Sequence, residues 1–233
     1  MKKVLVFLVL VLFALIIGGC SSSSSGGGDS SDIPVSTLNT NIESMASTGS
    51  SIGDTAISAI GISPRGVSAL TTTYVSDGWW LIEDSVTSGS ISYTRSYHAR
   101  AYVGSSYVTP SNIGSVTSSM ITKAQIYGSI SISTGTMNMT QTLGSSASDY
   151  IEYDYSINKM NGTIASSGTY DGETFSVSMT FTNVTKTSSG MFGTITITLN
   201  GTSVATCVLN GTTGTLTYSG TYGSLPPHTF TIT

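Results

Sequence analysis

Charge is scarce in this chain: eight basic and twelve acidic residues stand among 233, with two histidines and two cysteines. Cations so few and dispersed argue against nucleic acid as a partner, because phosphate binding needs a clustered basic face. His98 and His228 lie far from each other and from any carboxylate or cysteine cluster, so a zinc-type centre has too few ligands and no cofactor is expected. The cysteines, Cys20 and Cys207, are the only thiols. Long apolar runs are equally rare. The one present, Val4 to Ile17, is short for a bilayer core of about 30 Å.

That run follows Lys2 and Lys3 and ends at Gly18, Gly19 and Cys20, the order of an export signal. The ending "IIGGC" resembles the lipobox of bacterial lipoproteins, although Gly18 stands where Ala, Ser or Thr is commoner. The resemblance implies that residues 1–19 are removed and that Cys20 carries a diacylglyceryl group and an amino-terminal acyl chain such as palmitate. Two or three acyl chains anchor a protein stably, so attachment needs nothing from the folded domain. Ser21, where Asp would favour inner-membrane retention, points to the outer membrane of the cell envelope. The mature charge is then six basic against twelve acidic, or −6. With Cys20 lipidated, Cys207 has no disulfide partner.

Residues 20–33 join the lipidated cysteine to "SSSSSGGGDSSD", a flexible tether without apolar content. A single domain is expected over 34–233. Its first part, 34–62, has Leu38, Ile42 and Met45 at helical spacing and Asp54 as a cap before Ile57 and Ile60, predicting short helices that could plug or cover the rest.

From Thr71 onward the period is two. In "TFSVSMTFT", Phe175, Val177, Met179 and Phe181 alternate with hydroxyl residues, which predicts strands buried on one face. The pattern recurs at Ile151, Tyr153, Tyr155 and Ile157, at Ala124 and Ile126, and at Phe230 and Ile232. About ten strands are expected, with "PSNIGSVTSSMITK" as a short helix or long connection. The fold class is all-β, an antiparallel meander curled into a barrel, half-barrel or sandwich around its apolar face. In outline this is similar to the curved sheet of periplasmic lipoprotein carriers or to a lipocalin-like barrel, though no motif of either is present.

Turn residues test the register, since even and odd loops pair opposite and like parities. A two-residue loop at Asp171-Gly172 places Ile164 opposite Met179. A loop at Thr134-Gly135 places Ile132 opposite Met137. Around the repeated Leu-Asn-Gly-Thr, a three-residue loop over Leu199–Gly201 pairs Ile195 with Ala205, and a two-residue loop at Asn210-Gly211 pairs Ala205 with Leu216. That combination puts Cys207 inside as a small hydrophobe; the sequons at Asn200 and Asn210 are read as turns rather than glycan acceptors.

Residues that could carry chemistry are few. Ser51 in "GSSIG" fits a nucleophile elbow, but lacks the required strand before it. Arg95 shares the parity of inward residues and needs a partner, a rim position or an anionic ligand. Asp149, Glu152 and Asp154 form an acidic outer face with too few oxygens for calcium. Trp79, Trp80, Tyr153 and Tyr155 head a set of aromatics that could bind sugar, protein or an apolar ligand. The expected function is a membrane-anchored, non-catalytic envelope protein acting as a binding or structural module. The alternative is a carrier holding a lipid or other apolar ligand inside the curved sheet.

Overall fold

A computed structural model describes residues 71–170 and 172–232. Cys20, the tether, the helical segment over 34–62 and Ser51 lie outside the described residues. Among the described residues there are thirteen strands: β1 Thr71–Ser76, β2 Trp79–Ser88, β3 Ile91–Val103, β4 Ser106–Tyr107, β5 Lys123–Ser133, β6 Met137–Ser146 and β7 Asp149–Asp154, then β8 Lys159–Tyr170, β9 Glu173–Thr187, β10 Gly190–Leu199, β11 Thr202–Gly211, β12 Thr213–Tyr218 and β13 His228–Thr231. All pairings are antiparallel and join strands adjacent in sequence or, for β3–β5, β5–β7 and β6–β8, two apart; β4 pairs with the end of β3 alone. The fold is therefore an all-β meander.

The count exceeds about ten because one strand position is shared. β5 pairs with β6 at Ser133↔Asn138 and with β7 at Lys123↔Asp154, and both flank β8 on the other side. Between them the chain makes an excursion closed by the Gly144↔Tyr150 pair. With β4 set aside and β6 and β7 counted once, the sheet has eleven positions. The segment 108–122 is a connection bearing two 3-10 helices, Ile113–Ser115 and Ser118–Met120. Its Val108 and Ile121 are buried in the core.

Alternation separates two faces. Phe175, Val177, Met179 and Phe181 are buried, as are Ile151, Ala124, Ile126, Ile195 and Phe230, and they join one hydrophobic cluster. The other face carries Ser and Thr almost throughout. Ile157 departs from its series and is 50% exposed, because β7 ends at Asp154 and a four-residue loop carries it outward.

Register bears out some hairpins and corrects others. Ile164 lies opposite Met179 and Ser166 opposite Val177, as the sequence predicts. The turn expected at Thr134-Gly135 lies one residue later, at Gly135-Thr136, so Ile132 faces Met139 rather than Met137; Thr134 N donates to Met137 O at 2.7 Å and the Thr134 hydroxyl accepts from Met137 N at 3.0 Å. At Asn200-Gly201 the three-residue loop is wrong. Leu199 pairs with Thr202 across a two-residue turn in which both central residues have positive φ, 48° and 79°, the type I′ form that Asn-Gly favours. A bulge at Val204 then restores parity, giving Ile197↔Ala205 and Ile195↔Cys207. The next turn is at Gly211-Thr212, one residue later than expected, so Ala205 faces Tyr218 rather than Leu216. Cys207 is buried in both versions.

Candidate functional site

The outward face of β2, β3, β5 and β7 departs from the Ser/Thr pattern. Register places Arg100 opposite Gln125 and Gln125 opposite Glu152, one row across three strands. The Arg100 Nε donates to the Gln125 carboxamide oxygen, and the Gln125 amide donates to a Glu152 carboxylate oxygen. The Tyr102 hydroxyl also donates to Gln125, at 3.1 Å. Lys123 pairs with Glu152 at 3.4 Å. Gln125 is 3% exposed, so this polar row is roofed.

The roof is aromatic. The Arg100 guanidinium carbon lies 4.2 Å from the Trp79 ring centroid, with Tyr107, Tyr102 and Tyr150 at 5.3, 5.5 and 5.7 Å. Such contacts contribute about 0.5–2 kcal/mol each according to desolvation. Tyr127 meets Trp79 edge-on at 4.8 Å and stacks on His98 at 4.5 Å. Local turns build this arrangement. Gly78 has φ +79°, and a Cβ there would come within 2.6 Å of Tyr107, so the β1–β2 turn leaves room for that ring. The excursion between β6 and β7 delivers Tyr150.

Electrostatically the cluster is a cation held by rings. Among the described residues the two ion pairs, Arg95–Asp84 and Lys123–Glu152, leave Arg100 without a carboxylate. Burial pushes the Tyr102 phenol up to about 12 despite the opposing pull of Arg100, so it remains a neutral donor and acceptor. Burial also raises Tyr127 and lowers His98, the latter against an upward pull from Glu83. A planar guanidinium, phenol hydroxyls and partly exposed rings are groups that recognise surfaces and hydroxylated ligands.

The structure divides the residues singled out in the sequence. Trp79 belongs to this cluster although only 5% of it is exposed. Trp80 points the other way, 7% exposed, and its indole N–H donates to Val108 O at 3.1 Å. Tyr153 is 8% exposed on the inward face, edge-on to Tyr155 at 4.8 Å. Arg95, also inward, has found a partner in Asp84 at 2.9 Å. The acids are spent separately: Asp149 accepts from Ser145, Asp154 from Ser156, and Glu152 from Gln125 and Lys123. Among the described residues no three of His, Cys, Asp and Glu gather as a metal site.

The sequence by itself does not join Arg100, Tyr107, Gln125 and Tyr127 into one cluster. A signal existed in "YHARAYV": His98, Arg100 and Tyr102 alternate with the inward Tyr97, Ala99 and Ala101. Comparison with protein-family models, curated proteins and solved structures finds no match.

Proposed function

We propose that this chain is a non-catalytic envelope lipoprotein, anchored through Cys20, whose β domain is a binding module, and that it binds through the outward face of β2, β3, β5 and β7. The observation that carries this reading is the Arg100 guanidinium seated on Trp79 and ringed by Tyr102, Tyr107 and Tyr150. Arg, Tyr and Trp carry most of the energy of binding surfaces, because each combines a rigid apolar area with a directional polar edge. Beyond it the outward side chains of β3 and β5, Ser92, Thr94 and Ser96 with Ser129, Ser131 and Ser133, are small hydroxyls, so the cluster is the part of these strands able to supply affinity. Attachment to the membrane is supported by the resemblance of "IIGGC" to a lipobox.

The test is co-sedimentation of the detergent-extracted lipoprotein with isolated cell envelopes. Tyr107→Ala, at a residue 38% exposed, and Tyr150→Ala are expected to weaken binding at least tenfold, about 1.4 kcal/mol. Val208→Ser, an exposed position on β11, is expected to bind like the parent. Equal binding by all three variants refutes the proposal.

A further inference from the structure

We propose that the ligand of this face is a neutral polysaccharide chain, lying extended along β3 and β5 from the His98–Tyr127 ring pair into a hydroxyl-lined groove. The inference rests on the binding face proposed above and names its ligand class. The groove, about 390 Å³, is lined by Ser92 and Thr94 of β3, Ser131 and Ser133 of β5, and Asn138 and Thr140 of β6. All six have outward parity, and register joins them to the aromatic cluster without a break. His98↔Tyr127 is followed by Ser96↔Ser129, Thr94↔Ser131 and Ser92↔Ser133. From Tyr127 to Ser133 the track is six residue steps, about 20 Å at the rise of a strand, enough for several sugar rings.

Its chemistry selects the ligand. A sugar hydroxyl donates and accepts, as do the side-chain hydroxyls and carboxamide here. Ser131 and Thr140 share a hydrogen at 2.9 Å, and Ser133 donates to the Asn138 oxygen. Each oxygen keeps acceptor capacity, and the Asn138 amide nitrogen has no partner among the described residues. The groove carries no charged side chain, which disfavours phosphate and carboxylate polymers, as does the acidic balance of the chain. Ile132 and Met139 also line it, so hydroxyl groups alternate with apolar carbon, a mixture that the hydroxyl edges and carbon-bound hydrogens of a sugar ring match. Ring faces at one end supply the apolar contact that the carbon-bound hydrogens of a pyranose require.

The experiment is calorimetric titration of the detergent-extracted lipoprotein with cellohexaose, chitohexaose and xylohexaose and with the matching disaccharides. At least one hexaose is expected to bind, with its disaccharide at least tenfold weaker. Affinity should change less than twofold between 50 and 500 mM salt, since no counterions are released. Tyr127→Ala and Asn138→Ala should each weaken the hexaose at least fivefold; Asn138→Ala alters an exposed residue, so its folding is not in question. No heat with any hexaose at 5 mM, or binding indifferent to both variants, overturns the inference. Envelope binding that depends on Tyr107 yet is abolished by protease digestion of the envelopes also overturns it, while leaving the binding face intact. Envelope binding indifferent to Tyr107 and Tyr150 removes the face itself.

Discussion

At Cys207 burial sets the chemistry of the side chain. It is 1% exposed, and desolvation pushes its thiol from an ordinary value of 9.0 up to about 12. The folded chain therefore holds the proton over a range where the unfolded chain loses it. The stability this contributes is complete below pH 9 and is lost as pH rises toward 12. Urea unfolding of the parent and of Cys207→Ala should give a stability difference that is flat below pH 9 and falls above it; a flat difference up to pH 11 contradicts the buried thiol. A second inward feature is polar. Gln141 Nε2, Ser166 Oγ and Arg95 Nε are buried without a hydrogen-bond partner, and register sets them in one row, Arg95↔Ile130↔Gln141↔Ser166. An orphaned buried group costs about 1–3 kcal/mol. Ser166→Ala is therefore predicted to raise stability by about 1 kcal/mol in urea unfolding, and a comparable loss would show that the hydroxyl is bonded in solution. The sequence marked Arg95 by its parity. It also set Ser166 opposite Val177 on the inward face, but passed over Gln141, whose strand has a hydroxyl and amide content that hides which face is which.

Strand pairs were legible in part. β8 and β9 pair as their alternation requires, because an even loop between two unbroken period-two strands admits one register that buries both apolar sets. β10 and β11 were not, since parity alone cannot separate an odd loop from an even loop followed by a bulge. The chain takes the second course because Asn200 and Gly201 both accept positive φ, and Val204 absorbs the extra residue. Deleting Val204 should thus remove only the bulge: Ile197 stays opposite Ala205 and Cys207 stays inside. Deleting Thr206 reverses the facing of one half of β11. A thiol reagent applied to the native proteins should modify Cys207 slowly in the parent and in the Val204 deletion, and rapidly in the Thr206 deletion. Rapid modification in both deletions would contradict the bulge. The outward cluster was hidden for a different reason, because its members come from five separate segments between Trp79 and Glu152.

For the whole molecule, anchoring and folding are separate matters. Under the proposed anchoring through Cys20, Cys20→Ser, or inhibition of lipoprotein signal cleavage by globomycin, should alter processing and release the protein from membranes; unchanged fractionation would refute lipidation. The carrier reading asks for an inward face open to a ligand. Ile151, Tyr153, Phe175, Val177, Met179 and Phe181, the inward residues such a ligand would touch, are 1–8% exposed and belong to one cluster, and native mass spectrometry after gentle extraction tests that reading: a retained apolar ligand supports it and a bare chain refutes it.

The amino-acid order by itself determined the all-β class, the meander and which residues of most strands turn inward, because side-chain direction along a strand is a local, period-two property. It also determined the burial of Cys207, which survives a mistaken turn since two errors of one residue leave parity unchanged. Only the tertiary structure decided the shared position of β6 and β7, the bulge at Val204 and the meeting of Arg100 with Trp79, Tyr107 and Tyr150. Those depend on which strands become neighbours and at what offset, and pairing energy is summed over the whole sheet rather than written in any one segment.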